Sequence, residues 1–125
     1  MISKVLLSTF ILLFTTLTFA DKPKCYAASA GYCQYTGKIS RIYVNNDNII
    51  LLYFDTQMDY GEWDVAGFTA TSKVAGAVSL DTQNDFAKLF YSTALAAQST
   101  KRKVTVQMRG NIGGYLKIDR IWLDE

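Results

Sequence analysis

The pattern of hydrophobic and polar positions predicts two strands joined by a tight turn early in the chain. Residues 37–44 and 48–55 are rich in β-branched and aromatic side chains, which favour strands. The connecting residues 45–47, Asn-Asn-Asp, tolerate the left-handed backbone conformations that tight turns need. Within the first strand the apolar phase shifts between Ile39 and Ile42, which predicts a β-bulge or a sharp bend.

One later segment has the spacing of an amphipathic helix. This helix is predicted over residues 84–98, and Asp81 or Thr82 stands where it could cap the first turn. The glycine-punctuated stretch before it predicts one more strand, either in residues 65–71 or in residues 73–80. The inward face of the helix is predicted to consist of Phe86, Leu89, Phe90, Thr93, Ala94 and Ala97.

Two further strands follow the helix. Apolar and polar residues alternate over 104–108, a turn is expected in the glycine-containing residues 110–114, and residues 115–123 form the last strand. The apolar phase of this last strand shifts around Asp119 and Arg120, which predicts a second bulge. The fold class is therefore mainly β, and the element order matches the five-stranded OB barrel, whose helix lies between the third and fourth strands. An α+β sheet with one packed helix has the same order and remains an alternative.

The first twenty residues have the pattern of a cleavable secretory signal peptide. Lys4 precedes an apolar run over residues 5–19, and the small Ala20 stands directly before Asp21. A transmembrane anchor is the alternative, but serine and threonine residues interrupt a run that is already short for a span. Since no second hydrophobic segment follows, we expect a secreted or periplasmic protein without an integral membrane segment after cleavage.

Cysteine usage agrees with export. Cys25 and Cys33 are the only two cysteines and the chain contains no histidine, so a typical zinc site cannot be completed. In an oxidising compartment the pair is predicted to form a disulfide. The predicted organisation is a disulfide-closed N-terminal segment, residues 21–36, followed by one OB-like domain, residues 37–125.

Two stretches of sequence resemble a known family. They are TGKISRIYV at residues 36–44 and DFAKLFYSTALAAQSTKRKVTVQM at residues 85–108, a helix followed by a polar break and a V-x-V strand. Together with the signal peptide they resemble the B subunits of AB-type bacterial toxins, of the subtilase-cytotoxin and typhoid-toxin kind. The resemblance implies an OB-fold subunit that assembles as a homopentamer, binds cell-surface glycans and carries a separate catalytic A subunit. The cysteines of that family are placed differently, and no sugar-contacting motif aligns residue by residue, so no sugar-contacting residue is carried over.

An acidic, aromatic stretch, residues 55–64, is the candidate ligand-binding segment. Aromatic faces and nearby carboxylates are the combination that sugar binding uses, and the candidate residues are Tyr60, Glu62, Trp63 and Asp64. Alternatively, Trp63 closes one end of the core and the carboxylates are solvated or bind calcium, although their spacing is not that of an EF-hand. A glycosidase would need two carboxylates flanking a cleft. The absence of histidine removes histidine-dependent catalysis but leaves paired carboxylates possible. Because a loop at the end of a hairpin in a small barrel rarely supplies the cleft, we predict no enzyme activity, and no metal or cofactor is expected.

A second candidate surface lies on the predicted helix. Lys88, Tyr91 and Leu95 fall outside its main apolar face and are predicted to contact another subunit. Residues 49–54 are apolar at every position, so this strand is covered on both sides, either by a partner subunit or by a loop of its own chain. The formal net charge is only +2, which gives no electrostatic case for nucleic acid as a partner.

The predicted function is that of a secreted, non-catalytic binding subunit that recognises cell-surface glycans as part of a toxin-like oligomer. The alternative is a monomeric structural or inhibitor-like protein of the periplasm or envelope that has no sugar ligand.

Overall fold

A computed structural model describes residues 23–28, 30–56, 58, 63–72, 75–80 and 84–125. The predicted signal peptide, residues 1–20, lies outside them. In the described part the protein is mainly β, with one α-helix and one short 3-10 helix. The elements are β1 (Lys24–Tyr26), β2 (Tyr32–Val44), β3 (Ile49–Phe54), the 3-10 helix (Trp63–Ala66), β4 (Ala75–Ser79), α1 (Phe86–Thr100), β5 (Lys103–Ile112) and β6 (Tyr115–Leu123).

Five of these strands form a ring. The sheet order is β1-β2-β3-β4-β6-β5, and β2 also pairs with β5, which closes the ring. All pairings are antiparallel except that of β4 with β6. The long strand β2 takes part twice, since residues 33–38 pair with β5 and residues 39–44 pair with β3. The prediction of a mainly β fold with one helix is confirmed.

Strand β2 begins at Tyr32, five residues before the predicted start at Gly37. Its inward positions Cys33 and Tyr35 are buried in the core, so the strand crosses the predicted boundary after residue 36 without a break. The predicted bulge is confirmed, because the pairing register with β3 shifts between Ile39 and Arg41. In the turn that follows, the left-handed conformation expected for residues 45–47 is adopted by the next residue, Asn48, whose φ is 62°.

The second predicted bulge is confirmed as well. Gln107 of β5 pairs with Arg120 of β6, and the next residue, Met108, pairs with Ile118. Asp119 is therefore the extra residue of the bulged strand. Strand β4 lies within the second of the two ranges predicted for it, residues 73–80, and the first range, residues 65–71, contains no strand.

Helix α1 begins at Phe86, whose backbone N–H donates to Asn84 Oδ1 at 2.9 Å. Asp85 occupies the N-cap position, while the predicted capping residues Asp81 and Thr82 lie outside the described residues. The prediction for Leu89 is wrong: it is 66% exposed, and the buried positions are Ala87, Phe90, Ala94 and Ala97. The three alanines of this face let the helix approach the ring closely, and the Phe90 side chain fills space between the helix and the ring.

The helix packs against β2, β5 and β6. Near its end, Gln98 Nε2 donates to the carbonyl oxygen of Ser40 at 3.3 Å, where β2 has left β5 to pair with β3. The helix thus covers one end of the ring.

Apolar side chains gather on both sides of β3. Ile50, Leu52 and Phe54 belong to the main core inside the ring. On the outer side, Leu51 joins a second buried cluster with Ala75 and Ala77, and this cluster is covered by Ile49, Tyr53, Ile112 and Tyr115. Residues of the same chain therefore cover at least part of this outer side, which was one of the two predicted arrangements. None of the described helices is long and apolar enough to cross a membrane.

Candidate ligand-binding site

Of the four predicted binding residues in the acidic, aromatic stretch, only Trp63 has a described side chain. Trp63 begins the 3-10 helix and is only 3% exposed, so its ring belongs to the core and offers no surface for stacking. Burial of this large side chain stabilises the core, in agreement with the alternative interpretation that Trp63 is part of it. Tyr60 and Glu62 lie outside the described residues, as does the side chain of Asp64.

A different aromatic group lies on the hairpin of β1 and β2. The predicted disulfide is confirmed, since Cys25 and Cys33 are bonded and stand directly opposite each other across the two strands. Cys33 is fully buried, so this pair faces the core. Because successive side chains of a strand point to opposite faces, the adjacent pair Tyr26 and Tyr32 faces outwards. Their rings stack with centroids 4.9 Å apart and an interplanar angle of 27°.

Arg109 of β5 extends this aromatic group. Its guanidinium carbon lies 5.7 Å from the centroid of the Tyr32 ring, within the range of a cation–π contact. Its Nε lies 3.7 Å from Asp119 Oδ2, which is close enough for an ion pair. That distance is too long for a hydrogen bond, and the buried Nε has no hydrogen-bond acceptor among the described residues. The site therefore holds a cation with an unused donor beside an aromatic platform.

Asp119 reaches this position because of the bulge in β6. Bulges redirect a side chain relative to its strand neighbours, and here the extra residue lies beside both Arg109 and Gln107. The side chain of Gln107 is buried, with only 5% of the residue exposed, and Nε2 donates to the two Asp119 oxygens at 3.2 and 3.4 Å. A hydrogen bond to a charged acceptor is stronger than one between neutral groups, so this contact fixes the carboxylate.

Hydrogen bonds continue along the same side of the ring. Thr105 Oγ1 donates to Asp124 Oδ2 at 2.7 Å, and since its single proton is then used, Thr36 Oγ1 donates to Thr105 Oγ1, also at 2.7 Å. We call this surface the polar outer face and define it by Tyr26, Tyr32, Thr36, Thr105, Gln107, Arg109 and Asp119. The apolar outer face is the cluster of Leu51, Ala75 and Ala77.

Comparison of the chain with protein-family models, with curated proteins and with solved structures finds no match. What the polar outer face does is therefore inferred from its own geometry.

The described residues include no group of three or more Cys, Asp or Glu side chains that could hold a metal ion. Asp55, the first residue of the acidic stretch, accepts the backbone N–H of Thr56 at 2.9 Å. Since Asp59 and Glu62 lie outside the described residues, the calcium hypothesis for this stretch stays untested.

The predicted interface residues lie together on α1. Lys88, Tyr91 and Leu95 are all exposed, one helical turn apart along one side of the helix. Lys88 and Tyr91 also line a shallow, mostly apolar depression of about 320 Å³, together with Val44 and Leu80. The positions are available to a partner, and the interface itself stays a prediction.

Tyr26, Tyr32 and Arg109 were not among the residues singled out from the sequence. The first two could have been found, because a disulfide between opposed residues of a hairpin places the adjacent pair, Tyr26 and Tyr32, on the outward face. Arg109 is more than seventy positions away from both, and only the pairing of β2 with β5 brings it to them.

Proposed function

We propose that this protein is an exported, non-catalytic binding subunit that recognises glycans through the polar outer face. The observation that carries the proposal is the stack of Tyr26 on Tyr32 with the Arg109 guanidinium beside it. Export is supported by the Cys25–Cys33 disulfide and by the signal-peptide pattern of residues 1–20.

Sugars present both apolar C–H faces and hydroxyl groups, and the site has a partner for each. An exposed aromatic ring offers a flat surface for the apolar face, while a few fixed polar groups orient the hydroxyls. The Arg109 guanidinium lies on a side chain that is 36% exposed, and the Asp119 carboxylate has further lone pairs after accepting from Gln107. The proposed contacts take the place of the one expected from the buried Trp63, while those expected from Tyr60, Glu62 and Asp64 stay predictions.

The strand order of the ring supports an OB-like fold. With β1 set aside, the chain runs through three strands, a helix and two strands, and the third and fifth of these strands pair in parallel. OB barrels are used for binding oligosaccharides as well as oligonucleotides. The near-neutral net charge favours the former class of ligand.

A toxin-like homopentamer that carries a catalytic A subunit is the assembly we propose for this subunit. It is supported by the exposed side of α1 that bears Lys88, Tyr91 and Leu95, next to an apolar depression. Large exposed apolar side chains that are grouped together are typical of surfaces that meet a partner.

A glycan array tests the binding proposal. We expect the mature, oxidised protein to bind a defined subset of glycans, and Tyr32→Ala to raise the half-saturating protein concentration about tenfold, because it removes the central ring of the stack. Tyr43→Ala is the matched control, because Tyr43 lies near the other end of β2 and is 46% exposed. This variant should bind glycans as the wild type does. Folded protein that binds no glycan would contradict the proposal and favour the alternative without a sugar ligand.

Native mass spectrometry tests the assembly. We expect a pentamer for the wild type and dissociation for Leu95→Asp, which places a charge in the proposed interface. Leu89→Asp introduces the same change on the same helix, on the other side of its buried face, and should leave the pentamer intact. A wild-type protein that is a monomer at micromolar concentration would overturn the proposed assembly.

A further inference from the structure

We infer that the Cys25–Cys33 disulfide assembles the aromatic stack, so that the polar outer face is a complete binding site only in the oxidised protein. This inference rests on the proposed function for the role of the site, but not for the effect of the disulfide on Tyr26. Cys25 and Cys33 are thus positioning residues, which act on a ligand through Tyr26.

Tyr26 is 40% exposed and stands at the end of a short strand. Strand β1 has three residues and pairs with one strand, β2, through the partners Lys24–Gln34, Cys25–Cys33 and Tyr26–Tyr32. Its other contacts, with the 3-10 helix and through the buried Pro23, anchor the start of the segment and not the Tyr26 ring. Such a short two-stranded attachment is marginal in water by itself. The cross-link joins the residue directly before Tyr26 to the residue directly after Tyr32, so it limits the separation of the two rings.

Tyr32 and Arg109 are held differently. Strand β2 pairs with β5 continuously from Cys33 to Lys38, and β5 in turn pairs with β6. The ring therefore places Tyr32 next to Arg109 whether or not the disulfide is present. Opening the disulfide should remove Tyr26 from the site and leave Tyr32 and Arg109 in place.

The chemistry requires a dithiol reductant such as dithiothreitol. One thiolate attacks Sγ of Cys25, which is partly exposed while Cys33 is fully buried, and Cys33 leaves as a thiolate that takes up a proton. The second thiol of the reductant then displaces Cys25, which is also released as a thiol. The protein gains two electrons and two protons, and the dithiol becomes a cyclic disulfide.

NMR spectroscopy tests the inference without any ligand. In the oxidised protein we expect nuclear Overhauser contacts between the Tyr26 and Tyr32 rings, and we expect them to disappear in the reduced protein and in Cys25→Ser. The methyl resonances of Val106 and Ile118, inside the ring, should keep their dispersion. Ring contacts that persist after reduction would overturn the inference, as would loss of the methyl dispersion in both reduced forms, because the disulfide would then support the whole fold.

A double-mutant cycle on a glycan array separates positioning from a general structural role. Cys25→Ser should raise the half-saturating concentration about tenfold in the wild-type background and by less than about twofold in the Tyr26→Ala background. Equal losses in the two backgrounds would contradict positioning through Tyr26. If the oxidised wild type binds no glycan, the proposed function fails, while the ring contacts still decide whether the disulfide assembles the stack.

Discussion

The outer side of β3 and β4 and the outer side of β2, β5 and β6 belong to one ring, yet their side chains are of different kinds. On the first, Leu51, Ala75 and Ala77 are buried under Ile112 and Tyr115. On the second, threonine, glutamine and aspartate side chains form hydrogen bonds, Arg109 lies within ion-pair distance of Asp119, and two tyrosine rings stay partly exposed.

This difference indicates that the apolar outer face serves stability and that the polar outer face is suited to binding. Apolar side chains that the same chain covers contribute free energy of folding by burial and have no area left for a ligand. The polar outer face contributes less by burial, and it keeps Tyr26, 40% exposed, and the partly exposed side chain of Arg109 available to a ligand. We therefore expect substitutions on the apolar outer face to lower stability most, and substitutions on the polar outer face to lower it less and to weaken ligand binding as well.

The largest effect on stability is expected from Leu51→Ala on the apolar outer face. Leu51 is only 5% exposed, and its truncation leaves a cavity that should lower the free energy of unfolding by about 2–4 kcal/mol. Gln34→Ala on the outward side of β2 is the control and should change it by less than about 0.5 kcal/mol. Urea unfolding of both variants measures the change in the free energy of unfolding. Equal destabilisation by the two substitutions would show that the two faces do not differ in their contribution to stability.

A smaller effect is expected from Asp119→Ala. Loss of the carboxylate leaves the buried Gln107 amide without the acceptor it has at 3.2 Å, which should cost about 1–3 kcal/mol in unfolding experiments. Adding Gln107→Leu to Asp119→Ala removes the unsatisfied amide and should recover part of the loss. A double variant that is no more stable than Asp119→Ala would show that the amide is satisfied by other groups.

The smallest effect is expected from Thr105→Val. This nearly isosteric change removes the bonds to Thr36 and Asp124 at the open edge of the polar outer face, where water can replace them. We expect a loss of about 0.5–1 kcal/mol by the same unfolding measurement. A loss as large as that of Leu51→Ala would mean that this face is held together as tightly as the apolar one.

Periodicity in the sequence predicted most of the ring. The strands at residues 48–55 and 115–123, the helix and both bulges follow from the spacing of apolar residues, since the phase of a strand shows which side chains face the core. The disulfide followed from compartment and cysteine count. Strand β1 and the first five residues of β2 were missed, because Ala, Ser and Gly residues around the cysteines suggest a loop. The start of β2 is a strand through its pairing with β5, and β1 is a strand through its pairing with β2.

The candidate site could be predicted only in part. Trp63 combines a large apolar area with one polar atom, so composition favoured neither the core nor the surface, and its burial followed from tertiary packing. Leu89 was misplaced because apolar residues lie on more than one side of the helix. The side that carries the small alanine side chains packs closest to the ring, and Leu89 is not on it. Arg109 and Asp119 join the tyrosines through long-range pairings that no local pattern encodes.

The central claim is that ligands bind the polar outer face and not the apolar one. Isotope-labelled protein titrated with a glycan that the array identifies would test it by NMR chemical-shift mapping. The account predicts the largest shifts at Tyr26, Tyr32 and the Arg109 Nε–H, with Leu51 and Ala77 unchanged. Shifts centred on Leu51 and Ala77, or on the segment around Trp63, would contradict it.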